Sequence, residues 1–299
     1  MQIMSNQCNI CPRKCNTDRS KSKGFCGAYN KIHIARAALH HWEEPCISGG
    51  HGSGTIFFCG CNLKCVYCQN IEISRCKNNG AKITEDRLAQ ICYELKEKGA
   101  HNINLVTPTH YLSQIKNVLS EIKSDIGIPI VYNCGGYELA DSLYTLDGLV
   151  DIYLTDIKYM DNALAKKYSL ADNYFDIAVN ALSEMIRQTG KPTFDKDGLM
   201  QKGVIVRHLV LPSHRKDSIE ILKYLKTNYG TDKFILSLMS QFTPNDNLSD
   251  FPEINRKITS FEYNSVTDCA YDLGFTNAYI QEKSSAVKDY TPPFDLTGV

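Results

Sequence analysis

The apolar positions downstream of Gly54 follow two alternating patterns. Short runs of β-branched and aromatic residues, bounded by polar residues and glycine, predict β-strands, and apolar residues that recur every three or four positions predict helices. The strands are predicted at Thr55–Phe58, Ile103–Val106, Pro129–Tyr132, Val150–Leu154, Val204–Leu211 and Phe234–Met239. Strand–helix units in succession indicate a parallel sheet with helices on its outside.

Helical spacing is clearest in four segments between these strands. Their apolar positions are Leu88, Ile91, Cys92 and Leu95; Leu112, Ile115, Leu119 and Ile122; Ile177, Ala181, Leu182, Met185 and Ile186; and Ile219, Leu222 and Leu225. Thr84 is placed to cap the first of these helices and Gly99 to end it. A last helix is expected around Ser265–Leu273, followed by a strand around Asn277–Gln281.

Six strand–helix units are too few to close an eight-stranded barrel but enough for an open, curved one. Chemistry in such folds takes place at the carboxyl ends of the strands. The candidate site residues at those ends are Thr107, Thr109, His110, Asn133, Asp156, Lys158, Arg207 and Gln241. Asp156 and Lys158 lie two positions apart and should face the same side. Arg207 is preferred to His208 because neighbours on a strand face opposite sides and a guanidinium grips a carboxylate with two bonds.

Cys61, Cys65 and Cys68 form the densest chemical motif, shortly after the first predicted strand. Three thiols this close together do not make a disulfide framework, whereas thiolates gathered in this way bind a soft metal or an iron–sulfur cluster. A closed structural zinc site uses four ligands. Three thiolates therefore indicate a four-iron cluster with one iron open to a small molecule, and Tyr67 places an aromatic ring beside it.

A second cysteine set precedes the barrel. Cys8, Cys11, Cys15 and Cys26 have a spacing that suits either tetrahedral zinc or a four-cysteine iron–sulfur site. The metal would either fold an arm too small for its own core or serve as an auxiliary cluster. The following residues, Trp42–Gly54, form a glycine-rich connection to the first strand, in which Cys46 and His51 are not expected to be ligands.

The order C-x₃-C-x-aromatic-C resembles the signature of the radical S-adenosylmethionine superfamily. The segments His101–His110, Asp151–Tyr159 and Arg207–Pro212 resemble the subgroup related to pyruvate formate-lyase activating enzyme. The resemblance covers nearly the whole chain and implies a partial (β/α)₆ barrel, a [4Fe-4S] cluster on three cysteines, and bound S-adenosylmethionine. It also implies reductive cleavage of that cofactor to a 5′-deoxyadenosyl radical that abstracts hydrogen from a substrate, with electrons from a flavodoxin- or ferredoxin-type donor.

The strand-end residues are then expected to bind the cofactor. We expect Lys158 to pair with its carboxylate and Asp156 with a hydroxyl, and an Asp-x-Lys element lies at this place in the activating enzymes. The superfamily often carries a Gly-Gly-Glu element after the second strand, which receives the methionine amino group. This chain lacks it, so Thr107, Thr109 and His110 would have to supply the acceptors, although Thr109 is also placed to cap the next helix.

Bulk composition narrows the class of protein. The chain has 299 residues, of which 43% are hydrophobic and 22% charged, as in ordinary globular proteins. No apolar run approaches the roughly 20 residues needed to span a bilayer, and the first residues lack a secretory pattern. Thirteen cysteines without an export signal predict a reducing cytoplasm. The expected domains are a cysteine-rich metal-binding arm at 1–46, a barrel core at 47–245 and a C-terminal extension at 246–299 that packs on the barrel.

Three functions fit these residues. The first is a radical enzyme that modifies a protein or peptide, for example by installing a glycyl radical on a partner enzyme. The second keeps the same radical chemistry but acts on a small molecule or RNA. RNA is not favoured, because aromatic residues are not interleaved among the seven Lys/Arg of residues 1–40. The third is a non-catalytic iron–sulfur electron carrier or a zinc-stabilised module.

Overall fold

A computed structural model describes residues 7–76, 80–282 and 291–299. Its strands are β1 Ile32–His40, β2 Ser53–Phe58, β3 Ala81–Ile83, β4 Ile103–Val106, β5 Ile130–Cys134, β6 Ile152–Asp156, β7 Thr193–Phe194, β8 Met200–Leu209, β9 Ile235–Met239 and β10 Ala278–Ile280. Its helices are α1 Pro45–Ser48, α2 Ile71–Ser74, α3 Glu85–Glu97, α4 Leu112–Ile126, α5 Ala140–Tyr144, α6 Asn162–Ser169, α7 Tyr174–Thr189, α8 Arg215–Tyr229 and α9 Ser260–Asp272, with 3₁₀ turns at Thr109–Tyr111 and Asp246–Leu248.

The strands form one mostly parallel sheet. Its order is β10-β9-β8-β6-β5-β4-β2-β1-β3, and β7 pairs only with β8. From β2 to β10 every neighbouring pair in this order is parallel. Every strand predicted from Gly54 onward is present, and the expected strand near residue 278 extends the sheet as β10. The predicted α/β fold with a partial barrel is confirmed.

The helices that connect these strands cover the outer face of the sheet. The predicted helices appear as α3, α4, α7 and α8, each with its apolar face buried. Thr84 caps α3 by accepting a hydrogen bond from the Arg87 backbone N–H. The last helix, α9, starts earlier than predicted because Thr259 and Glu262 form a reciprocal capping box at its first turn.

Alternation along the parallel strands divides the core into two layers. Residues such as Ile56, Tyr132 and Leu236 point outward into the main core under the helices. Their neighbours point into the barrel, where they form a separate apolar cluster. Its members are Cys46, Ile47, Val131, Ile152, Leu154, Met200, Ile205 and Ile235.

Two members of that inner cluster come from outside the parallel strands. Residues 41–52 contain α1 and bury their central side chains, those of Glu44 and of residues 46–48, inside the barrel; we call this segment the plug. Ile47 of the plug is fully buried, and its carbonyl accepts a hydrogen bond of 2.8 Å from the Asn102 side chain. Gly49 has φ +49, and a Cβ there would lie 2.6 Å from the Leu199 side chain. A stretch expected to be a connection is therefore an interior element.

The sheet begins before the first predicted strand. β1 pairs antiparallel with β2, with Ile34 opposite Phe58 and His40 opposite Ser53. Alanines, Arg36 and histidines interrupt the apolar pattern of this strand, so the sequence did not reveal it. β1 lies inside the predicted arm, and the boundaries at 46/47 and 245/246 stay predictions.

The C-terminal residues pack against the first strand of the sheet. The Leu296 N–H donates to the Ala35 carbonyl at 3.0 Å, and the Ala37 N–H donates to the Thr297 carbonyl at 2.8 Å. Phe294 packs edge-on against Phe57. Within the described ranges, no helix combines the length and the apolar character needed to cross a membrane.

Candidate functional site

A cavity of about 590 Å³ occupies the barrel at the carboxyl ends of its strands. This volume lies within the range of about 300–1,000 Å³ typical of ligand pockets. The predicted residues that line it are Cys61, Cys65, Tyr67, Cys68, Thr107, Asn133, Asp156, Lys158, Arg207 and Gln241. The fold therefore gathers into one space side chains that are dispersed over the sequence.

The loop that carries the three clustered cysteines follows β2 and is held on several sides. The Cys61 N–H donates to the Cys26 carbonyl at 3.1 Å, and the Val66 N–H donates to the Tyr168 carbonyl at 2.9 Å. Arg75 donates to the carbonyl of Cys65 at 3.3 Å. These bonds fix the loop backbone beside the cavity.

The thiols of this loop fit an iron–sulfur cluster by their chemistry. Cys61, Cys65 and Cys68 are soft ligands, they line the same cavity, and each lies within electrostatic reach of another. Burial raises the pKa of Cys61 to about 12 and also raises the pKa of Cys68. A bound metal cluster reverses this effect, because a coordinating thiol is deprotonated outright. As the side chains stand, no group of three or more His, Cys, Asp and Glu residues in the described chain is already arranged around a metal position.

A charged cluster lies at the ends of three adjacent strands. Asp156 of β6 is in register with Arg207 of β8, and Arg207 Nε donates to Asp156 Oδ1 at 3.0 Å. Lys158 Nζ forms an ion pair with the other oxygen of Asp156. Arg207 also donates to the Asn133 side-chain oxygen at 2.6 Å. His208 points to the opposite side and bonds Ser218, as the alternation predicts.

The pKa values of this cluster show that its charges are mutually stabilised. Burial alone would raise the pKa of Asp156, but Lys158 and Arg207 hold it below its ordinary value. Burial alone would lower the pKa of Lys158, but Asp156 raises it. Both groups therefore stay charged at neutral pH and present a cation and an anion to a polar ligand.

The backbone beside Asp156 is held by a glycine and a tyrosine. Gly136 has φ +79, and a Cβ there would lie 2.1 Å from the Asp156 carbonyl oxygen. Tyr174 of α7 packs against the same backbone segment, and its hydroxyl is 2.9 Å from the carbonyl oxygens of Gly135 and Asp156. This close approach explains why glycine follows β5 and why the Asp156 strand end is rigid.

Tyr67 and Gln241 form part of the cavity wall. The Tyr67 hydroxyl is hydrogen-bonded to that of Tyr159 at 2.5 Å. The side-chain oxygen of Gln241 accepts a hydrogen bond from the Gln281 side chain at 3.1 Å. The backbone carbonyl of Gln241 accepts a hydrogen bond from the side chain of Gln69 in the cysteine loop at 3.2 Å. Gln241 therefore connects the end of β9 with both β10 and the loop.

Two predicted residues lie outside the cavity lining. Thr109 donates to the Glu138 carboxylate at 2.9 Å and does not cap α4. His110 Nε2 is 2.7 Å from the Cys59 carbonyl, and burial lowers the pKa of His110 to about 3. The chain turns sharply at Thr107, which has φ +58, and this turn directs the 3₁₀ segment away from the cavity. Thr107 therefore lines the cavity, whereas the side chains of Thr109 and His110 are bonded elsewhere, and their role as acceptors of a cofactor amino group stays a prediction that this arrangement does not support.

Two carboxylates that the sequence analysis missed also line the cavity. Glu43 and Glu44 enter from the plug. Glu43 accepts from Asn104 at 2.9 Å and from Asn133 at 3.2 Å, and it pairs with Arg207 at 3.4 Å. The available signal was a pair of acids directly before Pro45, inside a stretch otherwise rich in glycine and histidine.

The N-terminal cysteines lie beside the cysteine loop of the barrel. Cys15 Sγ and Cys26 Sγ both approach the Cβ position of Gly24, at 3.5 and 3.4 Å. Arg13 anchors this segment by donating to the Asn62 carbonyl at 2.7 Å. The Cys26 thiol lies within electrostatic reach of the thiols of Cys8, Cys11 and Cys15. Their chemistry fits a thiolate metal site, and both the presence of a metal and its identity stay predictions.

Comparisons with known proteins agree with this geometry. Residues 55–258 match the model of the Radical SAM superfamily, which covers more than half of the chain. The chain is also similar to "Uncharacterized protein MJ0674" of Methanocaldococcus jannaschii, with 32% identity over 272 residues that span 88% of this chain and 74% of that protein.

Solved structures share the fold at low sequence identity. The maturase HydG of Carboxydothermus hydrogenoformans has a TM-score of 0.51 and 16% identity, over 74% of this chain and 50% of that chain. SuiB of Streptococcus suis bound to precursor peptide SuiA has a TM-score of 0.50 and 12% identity, over 74% of this chain and 46% of that chain. Spore photoproduct lyase has a TM-score of 0.50 and 12% identity, over 75% of this chain and 74% of that chain.

The chain thus spans about half the length of SuiB and HydG. At these identities the likeness concerns the fold. The family match covers the strands from β4 to β9, the cysteine loop and the charged strand ends that line the cavity. The chain belongs to the radical SAM superfamily.

Proposed function

We propose that this radical SAM enzyme acts on a protein or peptide, in the manner of the activating enzymes that its motifs resemble. The observation that carries the proposal is the cavity itself. The cysteine loop, Tyr67 and the charged cluster of Asp156, Lys158 and Arg207 all face one space. Family membership implies that a [4Fe-4S] cluster and S-adenosylmethionine bind there, and the donor set of three thiols fits the cluster.

The side chains of this protein would hold the cluster and orient the cofactor. Cys61, Cys65 and Cys68 would ligate the cluster, which would supply one electron for the reductive cleavage of the bound cofactor. Lys158 is placed to bind a carboxylate, and Asp156 to accept a hydrogen bond from a hydroxyl. Leu63, Phe57 and Val106 line the same cavity and limit the access of water to it.

The size of the cavity supports a substrate that enters by one small group. A volume of about 590 Å³ is that of a pocket for one ligand of ordinary size, so with the cofactor bound we expect at most a side chain or a loop tip of the substrate to enter. The wall includes β10 residues and Thr291 and Pro292, which follow residues outside the described ranges. A peptide that inserts one side chain or a loop tip satisfies this limit on size. SuiB offers a precedent, since its structure contains a bound precursor peptide.

The second metal and the electron supply belong to the same proposal. We place a metal at Cys8, Cys11, Cys15 and Cys26, where the Cys26 carbonyl accepts from the Cys61 N–H at 3.1 Å. The metal would stabilise the segment that supports the cluster loop. Electrons would come from a flavodoxin- or ferredoxin-type protein, as the family resemblance implies, and thirteen cysteines without disulfides would suit the reducing cytoplasm.

The experiment separates substrate classes. The reconstituted and reduced protein is incubated with S-adenosylmethionine and with three fractions of an extract from its source cells: protein, RNA and small molecules. The proposal predicts that the protein fraction stimulates 5′-deoxyadenosine formation and that protease, but not RNase, removes the stimulation. Stimulation by the RNA or the small-molecule fraction alone would overturn the protein or peptide assignment. A glycyl-type radical signal on a protein from the fraction would support the activating-enzyme version.

A further inference from the structure

The floor of the cavity is acidic, and nothing in the cysteine motif or the strand ends accounts for this. Glu43 and Glu44 approach the floor from the plug, beside Ser237 of β9. Glu44 is only 8% exposed. Its Oε2 atom is buried and has no hydrogen-bond partner among the described residues. An unpaired buried carboxylate oxygen is costly, so natural proteins keep one for a reason more often than by accident.

The charges around this carboxylate do not balance. Three carboxylates share the space, those of Glu43, Glu44 and Asp156, and two cations face them, Arg207 and Lys158. Arg207 already bonds Asp156, Glu43 and Asn133, and Lys158 is paired with Asp156. When all the acids are ionised, the cluster is one cation short of neutrality. Burial accordingly raises the pKa of Glu43 and of Glu44, so without a further cation the cluster favours a proton on one of these acids, and a bound cation would replace that proton. A buried charge needs a partner of opposite sign.

The cofactor's ammonium and a cationic group of the substrate are the two candidates for that partner. Glu44 lies near Arg207 and Ser237, on β8 and β9. The cysteine loop follows β2, which is separated from β8 by β4, β5 and β6 in the order of the sheet. Lys158 of the charged cluster nevertheless lies within electrostatic reach of Cys68, so both candidates share the cavity, and binding in the presence of S-adenosylmethionine separates them.

We propose that Glu44, supported by Glu43, binds a cationic group of the substrate, an alkylammonium or a guanidinium. The inference rests on the proposed function, in that the substrate shares the cavity with the cofactor. It deepens that function by naming the chemistry of the substrate end that reaches the floor. A lysine or arginine side chain of a peptide carries this group, and so does a free polyamine.

The plug is well suited to present such a carboxylate. Ile47 packs in the inner apolar cluster, and Asn102 fixes its carbonyl. Pro45 at the start of α1 restricts the backbone directly after Glu44. Glu44 is therefore held on a rigid support, so that little ordering is required when a cation binds.

The test is a binding measurement that does not depend on catalysis. Ligand-observed NMR with the anaerobic full-length protein compares n-butylammonium with 1-butanol, which has the same chain and no charge. We expect the cation to bind at least tenfold more tightly, and E44Q to remove that preference. The matched control E97Q alters an exposed glutamate at the end of α3 and should bind as the wild type does. Equal binding of the amine and the alcohol to the wild type would overturn the proposal, and this comparison holds even where E44Q fails to fold.

Two further arms identify the source of the cation. The affinities of an Nα-acetylated lysine amide and of putrescine are compared. Tighter binding of either compound supports the site and shows whether the cationic group belongs to a peptide side chain or to a polyamine. The butylammonium titration is then repeated in saturating S-adenosylmethionine. Undiminished binding is expected, and loss of binding would assign Glu44 to the cofactor and overturn the proposal. Failure of 5′-deoxyadenosine formation would count against the proposed function and would leave this binding result unchanged.

Discussion

The two ends of the cavity differ in how they are encoded. The cysteine loop is continuous in sequence, and its spacing alone indicates a cluster site. The acidic floor comes from the plug, whose residues have no motif and meet the strands only in the folded barrel. The difference shows that local spacing encodes the general chemistry of the family. Features that select a substrate depend on tertiary packing.

The largest expected effect concerns the cysteine loop. Replacing Cys65 by alanine should remove most of the cluster iron and all 5′-deoxyadenosine formation, because two thiolates do not hold the cluster. The matched control is Cys92→Ala, which alters a buried cysteine of α3 in the outer core. Iron and sulfide analysis checks both variants. Equal iron in C65A and the wild type would contradict the assignment of Cys65 as a ligand.

The next effect concerns the charged cluster between the two ends. Asp156→Asn should lower the free energy of unfolding by about 3 kcal/mol, because it leaves Lys158, whose side chain is only 17% exposed, without its partner. Asp172→Asn removes an ion pair with Lys166 whose two side chains are 72% and 70% exposed, and it should cost about 1 kcal/mol or less. Urea unfolding of both variants measures the contrast.

The pH dependence of that contrast follows from the direction of the Asp156 shift. Its pKa is below the ordinary value in the folded state, so its contribution is present at neutral pH. The contribution is lost as the pH falls below about 4, where the carboxylate of the unfolded chain is protonated. The stability difference between wild type and D156N should shrink in acid, and a constant difference would contradict the ion-pair account.

The plug itself can be tested by a cavity-forming substitution. Ile47→Ala should lower the free energy of unfolding by about 2–5 kcal/mol, because Ile47 is fully buried in the inner cluster. The control Ile128→Ala alters a half-buried residue before β5 and should cost clearly less. Equal losses would mean that residues 41–52 are only a connection, as the sequence suggested.

The smallest expected effect concerns Glu138 and the way in which the free energy of unfolding changes with pH. Burial raises the pKa of Glu138 to about 8, so the folded state holds its proton more tightly than the unfolded chain does. The stability from this group is fully present below about pH 4.5 and is lost as the pH rises to 8. Glu138→Gln should flatten the decline of the urea midpoint between pH 6 and 8. An unchanged slope would show that Glu138 is ionised in the folded protein.

The sequence predicted the parts of the fold that have strong periodicity. The parallel strands, the helices α3, α4, α7 and α8, and the facing pair Asp156 and Lys158 all follow from spacing. β1 and the plug were missed, because alanine- and glycine-rich segments carry little periodic signal and gain their structure from tertiary pairing. Thr109 and His110 lie outside the cavity lining, because the chain turns at Thr107, which has a positive φ. No local pattern predicts that turn.

One measurement tests the central claim most directly. The anaerobically reconstituted and reduced protein is mixed with S-adenosylmethionine, and 5′-deoxyadenosine is quantified together with iron, sulfide and zinc. We predict product from the wild type, with at least about four irons per chain, as one [4Fe-4S] cluster requires, and no product from C61A, C65A or C68A. Product formed equally by a cysteine variant would contradict the account. So would an intact cluster that yields no product even with the source-cell protein fraction present.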